Sequence, residues 1–124
     1  MSDYLKKENI LYLRDENGKL LPQDVILELL PKKPMMSAVP MTKGELQRLY
    51  AESKNKDSTQ EQDSEIIEVH VLEPKMTKEE VKVMKPQYIS AMVTGVLSIS
   101  TGVSQEEIEK ESKKKILEQN DFLQ

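Results

Sequence analysis

Residues 87–101 read QYISAMVTGVLSIST and contain no charged side chain, although 32% of the whole chain is Asp, Glu, Lys or Arg. A helix needs roughly 20 apolar residues to cross a bilayer, so this run is too short to span a membrane and belongs inside a folded domain. Its apolar residues recur at the spacing of one helix face. They are Ile89, Met92, Val93, Val96 and Leu97. We therefore predict a central, nearly buried helix from Gln87 to Thr101.

Both ends of this helix carry boundary signals. Pro86 suits the first helical position, where no backbone amide donor is needed. Gly102 suits the position just after a helix, which often adopts a positive φ. Inside the helix, Gly95 costs about 1 kcal/mol relative to alanine. This glycine indicates either the close approach of a neighbouring helix or simple tolerance.

The stretch EPKMTKEEVKVMKP, residues 73–86, predicts a short helix between two corners. Thr77 and Glu80 form a capping box, in which each side chain bonds a backbone amide of the other residue. Pro74 and Pro86 close the segment, because proline cannot continue a preceding helix. We therefore expect the helices before and after this corner to lie side by side.

Two further capping boxes mark helix starts, one formed by Thr42 with Glu45 and one by Ser104 with Glu107. Between the first of these helices and the corner, residues 53–64 contain no apolar side chain. A segment with nothing to bury does not repay the entropy of ordering, so we predict a flexible loop there.

Residues 64–73 fit two patterns. Ile67 and Val71 lie on one helical face with His70, whereas Ile67, Val69 and Val71 alternate as in a strand. A serine that can cap the start and a proline that follows the end favour a helix. We predict a helix and note that the β-branched residues favour a strand.

The first third of the chain has a different character. Asn17 and Gly18 both tolerate positive φ and stand between short apolar runs, which is a strong hairpin signal. We predict a β-hairpin with arms at residues 10–14 and 19–21. The next segment, residues 23–30, fits an extended strand or a helical turn equally well.

A connector rich in proline and methionine follows at residues 31–41. Its three prolines bias the residues before them toward extended conformations. Its methionines are Met35, Met36 and Met41. They could form a plastic binding surface for an apolar partner, although methionine more often fills gaps beneath a loop.

These signals together predict a mainly α fold, a small helical domain of four to five helices with an N-terminal β-hairpin. Residues 1–41 form the hairpin and connector, and residues 42–124 form the helical domain with its flexible loop at 53–64. Because only 4% of residues are aromatic, Leu, Ile, Val and Met have to supply the core.

Composition and charge exclude several classes of protein. Without cysteine the chain has no disulfide, no thiolate nucleophile and no cysteine-based metal site. The N-terminus lacks the apolar stretch of a secretion signal, so we expect a cytoplasmic protein that does not enter a membrane. The net charge is -4, and the basic run Lys113–Lys115 follows several glutamates on one predicted helix. We therefore expect no nucleic-acid binding.

The sequence offers no catalytic constellation. His70 is the single histidine, and a lone histidine among Ile and Val is more often a surface or packing residue than a base or a ligand. The carboxylate pairs Glu79-Glu80 and Glu106-Glu107 occupy the first turns of capped helices, where the helix dipole accounts for them. We predict a binding or assembly protein with no enzymatic activity, cofactor or metal.

The order of these signals over residues 39–103 resembles the tail assembly chaperones of long-tailed bacteriophages. Met41–Glu45 is similar to the family's first helix start, His70–Pro74 to its central corner, Met76–Glu80 to its short helix and Ser98–Gly102 to its small-residue helix end. The resemblance implies a small non-enzymatic chaperone that coats the apolar helices of the tape measure protein and helps recruit tail tube subunits in the host cytoplasm. A structural or adaptor subunit that stays in a virion or other assembly is the alternative function, and the oligomeric state stays open.

We predict that the partner binds in a groove between the helix of residues 64–73 and the central helix. The predicted lining is Ile67, Val71, Val81 and Met92, and the connector would add Met35, Met36 and Met41. The four lining residues could instead be internal core, and the sequence leaves both interpretations open.

Overall fold

The structure, a computed structural model, describes residues 4–7, 11, 14–52 and 59–111. They form a mixed α/β fold with a helical majority. The strands are β1 (Gln23–Ile26), β2 (Met35–Ala38) and β3 (Val71–Glu73). The helices are α1 (Lys43–Glu52), α2 (Thr59–His70), α3 (Lys78–Lys82) and α4 (Pro86–Thr101), followed by α5, which begins at residue 105 and is described to residue 111. No helix in the described ranges is long and apolar enough to cross a membrane.

The three strands form one antiparallel sheet in the order β1-β2-β3. Val25 pairs with Met36, and Ala38 pairs with Val71, so these four side chains share the buried face. The helical majority confirms part of the predicted fold class, but this sheet was not predicted. Two of its strands lie in the segments interpreted as an ambiguous run and a connector, and the third follows α2.

The predicted N-terminal hairpin has its turn in the expected place. The Asp15 carboxylate accepts the backbone N–H groups of Asn17 and Lys19, and Gly18 has a φ of 79°. One antiparallel bridge, between Arg14 and Leu20, joins the two sides of the turn. Most of the first arm, residues 10, 12 and 13, lies outside the described residues. The turn is confirmed, whereas no named strand extends from it in the part that the structure describes.

Helix α2 begins at Thr59, before the Ser64 cap that the sequence predicted, so the second half of the predicted loop is helical. Gln and Glu, which fill this first turn, are good helix formers. The Gln62 side chain is buried and donates from Nε2 to the Leu49 carbonyl at 3.2 Å, which ties the early part of α2 to α1. The rest of the predicted loop, residues 53–58, lies outside the described residues. After His70 the chain continues as β3, so residues 64–73 combine the two patterns that the sequence allowed.

Helix α4 lies directly on the inner face of the sheet. A Cβ atom at Gly95 would come within 2.8 Å of Met36 Cε and within 3.3 Å of side-chain atoms of Val25 and Leu27. The glycine therefore does permit a close approach, but the neighbour is the sheet and not another helix. Pro86 and Gly102 bound α4 as predicted, with Gly102 at a φ of 79°.

The predicted capping boxes position the ends of the other helices. The Thr42 backbone N–H donates to Glu45 Oε1 at 3.0 Å, and Thr42 Oγ1 accepts the Glu45 N–H at 3.3 Å. Thr77 makes the same two bonds with Glu80. Helix α5 begins after Ser104, whose hydroxyl accepts the backbone N–H three residues later at 3.2 Å. The capping boxes in the sequence thus predicted the starts of these helices correctly.

Candidate partner-binding site

Most of the predicted partner-binding residues lie in the interior, where each is at most 5% exposed. They are Met36, Met41, Ile67, Val71, Val81 and Met92. Helices α2 and α4 pack directly together as predicted, while α3 packs against α2 and the sheet contacts α2 through β3 and α4 through β1. These six side chains therefore form the core, which was the second interpretation of the groove residues. Among the predicted residues, Met35 alone is exposed to a partner, at 61%.

An open groove of about 480 Å³ lies elsewhere, where the ends of α1 and α4 meet the beginning of α5. Its apolar lining comes from Tyr50 of α1, Leu97 of α4, Val103 of the connection and Ile108 of α5. Tyr50 and Val103 are 59% and 39% exposed, and Leu97 and Ile108 are half-buried. Four apolar side chains thus face one concave, solvent-accessible surface, which is the form of site that receives an amphipathic helix.

The connection between α4 and α5 holds Val103 in the groove wall. Gly102 turns the chain out of α4, and the Val103 N–H then donates to Thr101 Oγ1 at 3.2 Å. Thr101 in turn donates its hydroxyl to the Leu97 carbonyl at 2.8 Å. Thr101 also lines the groove, so this chain of bonds connects the end of α4 to Val103 in the adjoining wall.

Charged side chains border the same groove on α5. Glu107, Lys110 and Glu111 contribute to its lining, so the border carries more negative than positive charge. The apolar floor and the acidic border together favour a ligand with an apolar stripe flanked by lysine or arginine.

A second concave site, of about 30 Å³, lies between α1 and α2 and holds little more than one water molecule. His70 lies there, 5% exposed, with Nε2 3.0 Å from Glu45 Oε2 and Nδ1 3.2 Å from the Val39 carbonyl oxygen. Arg48, which lines the same cavity, forms ion pairs with Glu52 and Glu65. His70 is therefore a buried packing residue that joins α1 to the end of α2.

The electrostatics of Glu45 follow from this position. Burial raises the pKa of its carboxyl, but the hydrogen bonds from Thr42 and the adjacent His70 outweigh burial and hold the pKa below its ordinary value. Glu45 therefore stays ionised and serves both the α1 cap and His70. Among the described residues no group of three or more His, Asp or Glu side chains could hold a metal ion.

Asp63 in α2 has the opposite perturbation, because burial raises the pKa of its carboxyl to about 6 from an ordinary 3.8. The folded state binds the Asp63 proton more tightly than the unfolded chain does. The resulting stabilisation is fully present below about pH 3.8 and is lost as the pH rises through about 6.

We expect Asp63→Asn to raise the free energy of unfolding at pH 7 by about 1 kcal/mol, after a discount for partial exposure. Urea unfolding at pH 7 and pH 4.5 should show a gain that shrinks at the lower pH. The exposed Glu61→Gln is the control, and an Asp63→Asn gain of equal size at both pH values would contradict this assignment.

Of the four apolar groove residues, the sequence pattern singled out Leu97 and gave it another role. Leu97 was placed on the core stripe of α4, and Val103 and Ile108 flank the predicted start of α5. The signal for a shared surface was the cluster of apolar residues on both sides of Gly102, a helix end where the chain has to turn. No protein-family model, curated protein or solved structure matches this chain.

Proposed function

We propose that this protein is a non-enzymatic assembly chaperone that binds an apolar helix of a phage tape measure protein and helps recruit tail tube subunits. The single observation that supports a binding role is the open groove formed by Tyr50, Leu97, Val103 and Ile108. The identity of the partner rests on the resemblance of residues 39–103 to tail assembly chaperones.

The groove fits a helix by its composition and its position. An amphipathic helix places apolar side chains at i, i+3, i+4 and i+7, and such a stripe can contact the walls that α1, α4 and α5 provide. The half-buried Leu97 and Ile108 form the floor, and the more exposed Tyr50 and Val103 stand at the sides. Aromatic side chains such as Tyr50 often supply a large part of the energy of such contacts.

The acidic border defines which helix binds best. Glu107 and Glu111 would lie beside lysine or arginine residues that flank the partner's apolar stripe. This attraction acts between exposed charges, so salt screens it and it tunes the association rate more than the final affinity. A partner helix with acidic flanks would bind less well.

We expect Val103→Asp to weaken binding to the tape measure protein by at least about tenfold, since a carboxylate would have to be desolvated in the apolar groove. The assay is titration of the purified protein with an apolar helical segment of the tape measure protein from the same genome. Val103 is 39% exposed before binding, so the variant should keep its circular dichroism spectrum and its melting temperature.

Val83→Asp is the matched control, because Val83 is 85% exposed and does not line the groove. It introduces the same charge at the same residue type and should bind as the unchanged protein does. Equal affinity of the two variants for the helix would rule out the groove as the binding site. Recovery of the protein in purified, finished particles would favour the structural or adaptor subunit instead.

A further inference from the structure

Strand β1 is an edge of the sheet, and its outer side has backbone groups that point away from β2. Hydrogen-bonding groups in an antiparallel pair alternate between the two sides of a strand. The Leu27 N–H points toward β2, since it donates to the Pro34 carbonyl at 2.8 Å. The backbone groups of Asp24, Ile26 and Glu28 therefore point outward.

The Gln105 side chain occupies one end of this outer edge. Its Nε2 donates to the Ile26 carbonyl at 2.8 Å, and its Oε1 accepts the Glu28 N–H at 3.2 Å. Gln105 is 7% exposed, so both bonds are shielded from water. A carboxamide has an N–H donor beside a C=O acceptor, as a peptide unit does. Gln105 thus bonds β1 as the backbone of a neighbouring strand would.

The remainder of the edge is open among the residues that the structure describes. The N–H and C=O of Asp24 and the N–H of Ile26 make no hydrogen bond to another described residue. An extended peptide that adds to an open edge gains affinity from such main-chain bonds. We propose that the outer edge of β1 is a docking site for an extended segment of a partner protein, whose backbone pairs with Asp24 and Ile26 and displaces the Gln105 carboxamide.

The side chains along this edge define the chemistry of the segment. Asp24 and Glu28 are exposed acidic residues on either side of Ile26, which is 48% exposed. Ile26 pairs across the sheet with Met35, so two exposed apolar side chains lie together on the outer face. Cross-strand neighbours interact favourably when charges are opposite or when both are apolar. The side chains of Asp24, Ile26 and Glu28 share one face, because alternate residues of a strand point to the same side. The segment is therefore one that places lysine or arginine opposite Asp24 and Glu28 and an apolar residue opposite Ile26, at every second position.

This site is separate from the helix-binding groove and does not depend on the proposed chaperone function. The probe is an acetylated and amidated heptapeptide with lysine at its second and sixth positions, valine at its fourth position and threonine elsewhere, added to the protein. We expect the peptide to slow hydrogen exchange at the amides of Asp24 and Ile26. We also expect Gln105→Ala to bind the peptide about tenfold more tightly, because no internal group then competes for Ile26 and Glu28.

Three controls distinguish strand pairing from attraction by charge alone. A heptapeptide with an N-methylated central valine loses a backbone donor and should not protect Ile26, and a peptide with glutamate in place of lysine should bind weakly. Glu106→Ala, at the exposed neighbour of Gln105, should leave affinity unchanged. Absence of protection at Ile26 with saturating peptide would overturn the proposal, as would equal affinity of Gln105→Ala and the unchanged protein.

Discussion

A Met92→Asp variant is expected not to fold. Met92 is 3% exposed in α4, so an aspartate at this position would bury a charged group with no counterion. Such changes belong to the small class that costs more than about 4 kcal/mol, a large part of the roughly 5 to 15 kcal/mol that stabilises a typical domain. Circular dichroism should show loss of helical signal at 25 °C, and size-exclusion chromatography should show an expanded or aggregated chain.

Met35→Asp is the matched control for this experiment. Met35 is 61% exposed on the outer face of the sheet, so its aspartate can stay hydrated and the fold should persist. The pair of variants also decides between the two sequence-based interpretations of Met92. A folded Met92→Asp protein would show that α4 presents this residue to solvent and would contradict the packing described above.

Ile67→Ala is expected to lower the free energy of unfolding by about 2 to 5 kcal/mol. Ile67 is 0% exposed in α2 and lies in the same core as Val71 and Val96, so the truncated side chain leaves a cavity that rigid neighbours cannot fill. Urea unfolding followed by circular dichroism gives the change directly.

Val69→Ala serves as the comparison in the same helix, because Val69 is 48% exposed. Its effect should stay below about 1 kcal/mol, since little apolar surface leaves the interior. Similar losses for the two variants would mean that the buried face of α2 has been assigned to the wrong residues.

The helices could be predicted from sequence because their signals are local. Pro86 and Gly102 bound α4 at the predicted residues, and the boxes at Thr42 and Thr77 depend on side chains only three residues apart. The stripe on α4 also identified Met92 and Val96, which are buried. The stripe did not reveal that Leu97 lies where the neighbouring elements end. A periodic pattern shows which side of a helix faces the core, but not how far neighbouring elements cover that side.

The sheet could not be predicted because its determinants are distant in sequence or weak. Strand β2 reads MMSA, which lacks the β-branched and aromatic residues that favour strands. Its pairing partner β3 follows α2, and no local signal joins Ala38 to Val71. Met36 lies in β2 and is buried by the packing of this sheet, so the connector was interpreted from sequence without the strand that orders it.

The candidate sites also depend mostly on contacts between residues that are distant in sequence, which local patterns do not predict. The sequence predicted that His70 is a surface or packing residue, but its contact with Glu45 joins two helices and no pattern in either helix predicts that contact. The sequence did not predict the beginning of α2, because the buried Gln62 there is held by a hydrogen bond to the Leu49 carbonyl of α1. The groove and the Gln105 contact to β1 likewise combine residues that are far apart, 79 positions in the case of Gln105 and Ile26.

During translation, β1 and β2 leave the ribosome well before α4 has been synthesised. The inner sides of Val25 and Met36 then have no Gly95 backbone against which to pack. Until α4 has been synthesised, the nascent β1–β2 pair exposes an apolar face to solvent, and such exposed faces make unfinished chains prone to associate with one another. The close contact between Gly95 and the sheet thus delays the packing of β1 and β2 until α4 has been synthesised.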